Sequence, residues 1–169
     1  MERIKAPEKW QKEAYEKGQK RYLFIAGSIE MGKASEWQNE LCEMLADLEK
    51  LVVLDPRRDN WDSSWEQTVD NPNFLEQVTW ELDSLEGADI VSFYFDPDTK
   101  SPITLLELGL SAKNVHCVVC CPPGFYRRGN VEIVCNRESI VLVETLEELS
   151  KKIRDFFEMD SESYKHEIK

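Results

Sequence analysis

The sequence lacks any apolar run of the length that a membrane span requires, about 18 to 20 residues. Its first residues, Met1 to Lys5, also lack the apolar core of a signal peptide. Basic residues are few, since 21 lysines and arginines stand against 33 acidic residues, for a net charge of −12. We therefore expect a cytoplasmic protein that binds neither a membrane nor a nucleic-acid polymer, because contact with a phosphate backbone needs clustered positive charge.

Motifs for common cofactors are absent as well. The glycine-containing segment 27–32 is neither Gly-x-Gly-x-x-Gly nor a Walker loop, so binding of a dinucleotide or of ATP has little support. Cys117 and Cys120 have the spacing of a redox or zinc pair, yet no second pair and no usable histidine follow. We interpret the five cysteines as small buried hydrophobic residues in a reducing compartment, with a thiol redox protein as the alternative. No metal and no cofactor is expected.

Strand-like and helix-like segments alternate along the chain. Five apolar runs have the length of buried strands, residues 22–26, 51–54, 89–95, 116–121 and 140–143. Helical spacing marks residues 35–48, 74–85, 103–113, 130–135 and 145–157, and Thr145 with Glu148 predicts a capping box on the last of these. Strands that are apolar throughout are typical of burial on both faces. The sequence therefore predicts an α/β protein in three layers, with a five-stranded parallel sheet between helices, flavodoxin-like or Rossmann-like.

The predicted organisation is one domain with two polar ends. The domain occupies residues 21–158, and residues 1–20 predict a loose arm or a short helix. Residues 159–169 predict a frayed polar tail. The long irregular stretch 55–73 holds Trp61 and Trp65, and loops of this length in compact domains are commonly functional.

The candidate site lies at one edge of the predicted sheet. In open parallel sheets, ligands bind beyond the carboxyl ends of the strands. The segments that follow the predicted strands at that edge are 27–28, 55–58, 96–101 and 122–130. Glycine lets the backbone approach a ligand closely, so 27–32 is either part of a binding site or a plain strand-to-helix turn. Arg57 and Arg58 either neutralise a phosphate or pair with the neighbouring Asp55 and Asp59.

Glu107 is the acidic residue that most needs a physical explanation. It is surrounded in the sequence by apolar residues, Leu105, Leu106, Leu108 and Leu110, so we expect at least partial burial. Acidic side chains are rarely buried without a partner, and removing an ionised one from water costs several kcal/mol. This carboxylate is therefore expected either to be satisfied by another group or to do chemistry.

Several short motifs follow one another in order along the chain: Gly27-Ser28-Ile29-Glu30, Pro56-Arg57-Arg58, Trp80-Glu81-Leu82, Leu106-Glu107-Leu108-Gly109 and Arg128-Gly129-Asn130-Val131. Together they resemble the nucleoside 2-deoxyribosyltransferase superfamily, and most closely its branch of deoxyribosyltransferase-like proteins. The resemblance extends from about residue 22 to residue 157. It implies an enzyme that acts on the N-glycosidic bond between a base and 2-deoxyribose, with residues 27–30 and Arg57 in the substrate site.

The resemblance also implies roles for single residues. Glu107 inherits the role of the nucleophile, which attacks the anomeric carbon and forms a covalent glycosyl ester. Glu81 stands where the family has an aspartate that contacts the sugar, although an exposed helix glutamate is the alternative. Asn130 matches an asparagine that one family subunit contributes to its neighbour's site, which implies a homodimer or a larger even assembly. Trp61 is expected to stack on the base.

Ser101 leaves the choice between transfer and hydrolysis open. Family transferases carry an aspartate six residues before the nucleophile, whereas a serine there resembles the deoxynucleotide hydrolases, in which it helps to hold the 5-phosphate. Those hydrolases usually carry arginine after Gly-Ser-Ile, and this sequence has Glu30. We expect a nucleoside transferase, with a 2-deoxynucleoside 5-monophosphate N-hydrolase and a non-catalytic nucleotide-binding module as alternatives.

Overall fold

The computed structural model describes residues 1–11, 20–29 and 36–158. The strands of its one parallel sheet are β1 (Glu2–Lys5), β2 (Arg21–Gly27), β3 (Leu51–Asp55), β4 (Ile90–Tyr94), β5 (Cys117–Cys120) and β6 (Val141–Val143). The helices are α1 (Trp37–Met44), α2 (Pro72–Gly87), α3 (Pro102–Ser111), α4 (Arg128–Arg137) and α5 (Leu146–Glu158). The predicted fold class, a parallel α/β sheet in flavodoxin-like layers, is confirmed.

The described part of the sheet has six strands, whereas the sequence predicts five. The additional strand, β1, lies in the segment predicted as a loose arm or short helix, and it pairs with β3 so that Glu2 lies opposite Val52. The prediction missed this strand because it is short, polar and at the sheet edge, where only one neighbour buries it. Residues 12–19 of the predicted arm and the predicted tail 159–169 lie outside the described residues.

The strand order, β1-β3-β2-β4-β5-β6, places a topological switch at the centre of the sheet. After β2 the chain moves outward to β3, then returns past β2 to form β4, and continues outward on the other side. The connections that leave β2 and β4 therefore diverge at the carboxyl ends of these two neighbouring strands. In sheets of this kind the resulting crevice is where ligands bind.

Each face of the sheet has its own hydrophobic core, because successive side chains of a strand point to opposite faces. Leu23 and Ile25 of β2 pack in the core that α1 and α5 cover. Phe24 and Ala26 pack in the core that α2, α3 and α4 cover. All four side chains are fully buried. Burial of each large apolar side chain contributes roughly 1.5–3 kcal/mol, so the central strands are rigid supports for the loops that follow them.

Two helix starts follow from local hydrogen bonding. The side chain of Asn71 accepts hydrogen bonds from the backbone N–H groups of Asn73 and Phe74, at 3.1 and 3.3 Å, and so caps α2. At α5 the Glu148 N–H donates to Thr145 Oγ1 at 3.2 Å, and the Thr145 N–H donates to Glu148 Oε2 at 3.3 Å. The predicted capping box is confirmed.

The edge strand β1 supplies the cation for a buried carboxylate. Asp55, at the end of β3, is fully buried. Its Oδ2 accepts hydrogen bonds from Arg3 Nε and Nη2, at 2.9 and 2.5 Å, and its Oδ1 accepts one from the Arg57 backbone N–H at 2.9 Å. The pair ties the edge strand to the loop that follows β3.

We predict that Arg3→Ala lowers the free energy of unfolding by about 3 kcal/mol, because it leaves the Asp55 carboxylate buried without a cation. The matched control is Lys5→Ala on the same strand. It removes an ion pair to the exposed Asp59 and should cost less than about 1 kcal/mol. Urea denaturation measures both variants, and equal losses would contradict the assignment.

Candidate active site

The end of β2 is packed so tightly against β4 and α1 that it requires glycine. A Cβ atom on Gly27 would lie 2.8 Å from the carbonyl oxygen of Tyr94 and 2.5 Å from Trp37 Cζ2. The Ser28 N–H donates to the same carbonyl oxygen at 3.0 Å, and the Trp37 indole donates to the Ser28 carbonyl oxygen at 2.9 Å. Ile29, half-buried, is the last described residue here, and Glu30 lies outside the described residues.

Three buried hydroxyl groups connect the end of β2 with the start of α3. Thr99 Oγ1 lies 2.9 Å from Ser28 Oγ and 2.7 Å from Ser101 Oγ, and the hydroxyls of Ser28 and Ser101 also contact each other. The Asp96 N–H donates to Ser28 Oγ at 2.9 Å. The structure thus brings Ser28 and Ser101 together across the switch point.

The backbone of Ser101 explains why its side chain joins this cluster. Its φ of 46° and ψ of 51° are left-handed, and its hydroxyl does not cap α3 although the residue stands at the helix N-cap. The sequence motifs predict a role for Ser101 but not for Thr99. The available signal was a second hydroxyl residue two positions before Ser101 in the loop that follows β4.

Glu107 lies on the buried face of α3 together with Thr104, Leu108 and Ser111. Its side chain is 8% exposed, and it forms no hydrogen bond or ion pair with any described residue. The expected burial is confirmed, but its expected source is partly wrong. Leu106 and Leu110 are 59% and 50% exposed. At about 100° per residue, they are rotated roughly 100° and 60° around the helix axis from Glu107, both in the same direction, so they lie towards the solvent side of α3. The sheet and α2 bury Glu107, rather than these two sequence neighbours.

A second carboxylate, Glu81 on α2, interacts with Glu107. Burial, and then the charge of Glu81, raise the pKa of Glu107 to about 8. Burial also raises the pKa of Glu81, while a hydrogen bond from Gln77 Nε2, at 2.9 Å, acts to lower it. Glu81 is half-buried, so its alternative as an exposed helix glutamate is wrong. Because two nearby carboxylates resist joint ionisation, the pair retains a proton at neutral pH.

Arg57 lies one strand away from Ser28, at the end of β3. Its Nη1 donates to Gln38 Oε1 at 3.1 Å, and its Nη2 lies 3.5 Å from Glu36 Oε1. The alternative that Arg57 pairs with the side chains of Asp55 or Asp59 is wrong, because Arg3 occupies the first and Lys5 the second. Gln38 is itself fully buried.

The two tryptophans of the long loop contact each other. Trp61 and Trp65 have ring centroids 5.2 Å apart in an edge-to-face arrangement, and Trp61 is half-buried. The guanidinium of Arg58 lies 5.1 Å from the centroid of the Trp65 ring and pairs with Glu76 at 3.1 Å. The pair of Arg58 with Glu76 holds this loop against α2. The expected stacking of Trp61 on a base stays a prediction.

Asn130 does not join the carboxylate pair within one chain. It is exposed in the first turn of α4 and forms no hydrogen bond with Glu81 or Glu107. The helix begins two residues before it, at Arg128. The expected contribution of Asn130 to a neighbouring subunit's site stays a prediction.

The five cysteines are buried, and none is in a disulfide. Burial raises the pKa of their thiols to about 11 or about 12. The thiolate is the reactive form of cysteine, so these side chains behave as small hydrophobic groups at neutral pH. This confirms their interpretation as buried residues and removes support from the redox alternative.

A cavity of about 200 Å³ lies away from this site, beside the edge strand, and is lined by Glu2, Ile4, Trp10, Gln11, Lys20, Tyr22 and Val52. Its two charged residues pair with each other at 2.5 Å. In residues 1–11, 20–29 and 36–158, no helix has the length and apolar character to cross a membrane. The same residues contain no cluster of three or more His, Cys, Asp or Glu side chains arranged to hold a metal ion.

The protein is thus of the α/β class with a parallel sheet. Its candidate ligand site lies at the carboxyl ends of the central strands and contains a pair of carboxylates. The sequence model of one family, described as nucleoside 2-deoxyribosyltransferase like, matches residues 20–125. This match covers more than half of the chain, and the protein belongs to this family. It includes Glu81, Ser101 and Glu107 but ends before Asn130. No curated protein matches the chain.

We predict that Glu107→Gln stabilises the protein at pH 8.5 and has little effect at pH 4. With a pKa raised from 4.5 to about 8, the folded protein binds a proton that the unfolded chain has lost, so stability falls as pH rises through this window. One pKa unit corresponds to about 1.4 kcal/mol, so the gain at pH 8.5 should be roughly 2–4 kcal/mol. Thermal unfolding across pH measures it, and a pH-independent difference would contradict the assigned burial.

Proposed function

We propose that the protein cleaves the N-glycosidic bond of 2-deoxynucleosides and transfers the 2-deoxyribosyl group through a covalent intermediate on Glu107. One observation carries this proposal. The Glu107 carboxylate is buried beside Glu81 without a hydrogen bond or ion pair to any described residue, in a chain of the nucleoside 2-deoxyribosyltransferase-like family. Such a group is costly to keep for stability alone, and it is suited to attack an electrophilic carbon.

The proposed reaction has two displacement steps. In the first, an oxygen of ionised Glu107 forms a bond to C1′ while the C1′–N bond breaks, and the base keeps the electron pair and takes up a proton. In the second, a base nitrogen or water attacks C1′ and releases Glu107. Positive charge develops on the sugar ring in each transition state, and a carboxylate in a site shielded from water stabilises it strongly. A 2-deoxy sugar lacks the electron-withdrawing 2-hydroxyl, so its bond breaks more easily.

The other predicted residues surround this reaction in the proposal. Gly27, Ser28 and Ile29 form the rim at the end of β2, where the backbone contacts the substrate. Glu81 accepts a hydrogen bond from a sugar hydroxyl, and Trp61 stacks on the base. Arg57 lies at the same edge of the sheet. Glu30, outside the described residues, follows Ile29 in the sequence and is proposed to bind the substrate as well.

Hydrolysis of 2-deoxynucleoside 5-monophosphates is the second candidate, and the hydroxyl cluster favours it. Ser28, Thr99 and Ser101 converge where α3 begins, and the Ser101 hydroxyl does not cap the helix. Helix N-termini and hydroxyl groups both suit a phosphate. Arg57, the cation that the sequence predicts for this site, is held by Gln38 and Glu36, which favours the uncharged nucleoside as the first candidate.

Incubation with each 2-deoxynucleoside and each 5-monophosphate, with and without a second free base, tests the proposal by chromatography. We expect release of the base from a nucleoside, and a new nucleoside when the second base is present. Because Glu107 must be ionised to attack, kcat/KM should rise about tenfold per pH unit up to a pH of about 8. A rate that falls over this range would contradict the nucleophile assignment.

Two variants test the role of Glu107 in this reaction. Glu107→Gln should lower turnover at least about 1,000-fold, because no covalent ester can form. Glu86→Gln, at an exposed position of α2, is the matched control and should keep wild-type turnover. If only the 5-monophosphates release their base, and no new nucleoside forms with the second base, the second candidate is favoured. Binding without turnover favours a non-catalytic module.

The surface of α3 supports the further proposal of a homodimer with shared sites. Three polar residues, Thr104, Glu107 and Ser111, lie on the buried face of this helix beside Leu108, whereas the apolar Ile103, Leu106 and Leu110 are at least half exposed. An ordinary surface helix carries polar residues at such exposed positions. An exposed apolar stripe of this kind is typical of a face that another protein covers.

A second copy of the chain is the partner that fits this stripe. Gly109 lies beside it with open space around its Cβ position, and an exposed mid-helix glycine costs about 1 kcal/mol relative to alanine unless another helix approaches closely. A two-fold contact would pack α3 against the same helix of the partner. In the proposed dimer, the exposed Asn130 of each chain completes the neighbour's site.

We predict that Leu106→Glu yields a monomer, because it places a charge in the proposed contact. Val69→Glu, at a position 76% exposed in the long loop, is the matched control and should leave the mass unchanged. Sedimentation measures both, and a Leu106→Glu protein that keeps the wild-type mass would contradict the proposed face.

If sites are shared, mixing inactive Glu107→Gln and Asn130→Ala chains should restore roughly a quarter of wild-type activity through mixed dimers.

A further inference from the structure

Gln77 links the carboxylate pair to the end of β3. It is on α2, one turn before Glu81, and its side chain is 4% exposed. Its Nε2 donates two hydrogen bonds, one to the carbonyl oxygen of Pro56 at 2.8 Å and one to Glu81 Oε1 at 2.9 Å. One amide group therefore fixes the Glu81 side chain relative to the strand edge where the candidate site lies.

The orientation of this amide follows from its partners. A carbonyl oxygen and a carboxylate oxygen are both acceptors, so only the nitrogen of Gln77 can face them. Its Oε1 is then buried without a hydrogen-bond partner among the residues that the structure describes. A buried acceptor left unpaired is unfavourable, and such groups in folded proteins call for an explanation. Stability alone does not favour glutamine here.

We propose that Gln77 is a positioning residue, which acts through Glu81 by holding its carboxylate ionised and in a fixed place beside Glu107. The proposal deepens the proposed function, on which its catalytic consequence rests. A fixed, ionised Glu81 is a constant acceptor for a sugar hydroxyl. It also keeps the shared proton on Glu107 until the site is occupied or the pH rises.

Among the described residues, Gln77 has the main effect on the ionisation of Glu81. Glu107 is the only ionisable side chain of α3, and the other acidic residues of α2, which are Glu76, Asp83 and Glu86, are exposed. The central strands β2 and β4 carry no carboxylate and no lysine, and the one arginine, Arg21, starts β2 at the opposite edge. Arg58 pairs with Glu76, and Arg57 with Glu36. The hydrogen bond from Gln77 is the interaction that favours the ionised form of Glu81.

Titration of the side-chain carboxyl carbons by NMR tests this directly in the protein without substrate, with Glu81→Gln and Glu107→Gln to assign the signals. Gln77→Met has a similar volume and no donor. We expect Glu81 to ionise at higher pH in this variant, and the ionised fraction of Glu107 at pH 7 to rise roughly twofold or more, because the shared proton moves to Glu81.

Two controls separate this role from a structural one. Ser84→Ala removes another buried hydrogen bond of α2, from the Trp10 indole at 3.1 Å, and should leave both titrations unchanged. In a Glu81→Gln background, Gln77→Met should no longer change the titration of Glu107, since the charge through which it acts is gone. If Gln77→Met shifts neither carboxyl, or shifts Glu107 equally in both backgrounds, the proposal is wrong. Should that variant fail to fold, Gln77→Asn, too short to reach both acceptors, replaces it.

Kinetics give the second readout. Gln77→Met should raise KM for a 2-deoxynucleoside about tenfold with a smaller change in kcat, and should move the acidic limb of the kcat/KM profile to lower pH. A loss confined to kcat with an unmoved pH profile would contradict positioning through Glu81. If the carboxyl titrations shift as expected and wild-type protein turns over no nucleoside, the proposed function fails while the role of Gln77 stands.

Discussion

Two carboxylates share a site that the fold shields from water, and no cation of the described chain neutralises them. Glu107 is buried on α3, Glu81 is half-buried on α2, and the charge of Glu81 raises the pKa of Glu107 further than burial alone. Two such groups next to each other destabilise the folded state once both ionise. The arrangement persists because the sheet edge, α2 and α3 are held rigidly by the two cores on either side of the strands. The stability of the folded protein is thus lowered at the position of the proposed nucleophile.

The helix α3 connects the three parts of the site. Its start meets the hydroxyl cluster of Ser28, Thr99 and Ser101, its inner face carries Glu107, and its outer face is apolar. In the proposed function, the inward carboxylate reacts and the apolar outer face contacts a second chain. Any movement of α3 would therefore change the hydroxyl cluster, the carboxylate pair and the proposed dimer face together.

The sequence predicts the fold well, because its signals are local. Continuous apolar runs mark the central strands, and Thr145 with Glu148 marks the start of α5 through one reciprocal pair of hydrogen bonds. The edge strand β1 was missed, because its four residues, three of them charged, gain their strand conformation from the neighbour β3 rather than from their own pattern.

The site is less predictable, because its contacts join distant parts of the chain. The burial of Glu107 was expected, yet the leucines at 106 and 110 face away from it. The predicted pairing of Arg57 and Arg58 with Asp55 and Asp59 was wrong, because ion pairs depend on which loops meet in the folded protein. Asp55, for example, pairs with Arg3, which is 52 positions away in the sequence. The role of Gln77 required the positions of Pro56 and Glu81, two acceptors that meet only in the folded protein.

Mass spectrometry of the protein, quenched in acid during turnover of a 2-deoxynucleoside, tests whether Glu107 forms the covalent intermediate. We expect a population with the added mass of one 2-deoxyribosyl group, located by peptide mapping on Glu107 and absent from Glu107→Gln. An adduct on another residue, or rapid base release with no adduct under single-turnover conditions, would contradict this role of Glu107.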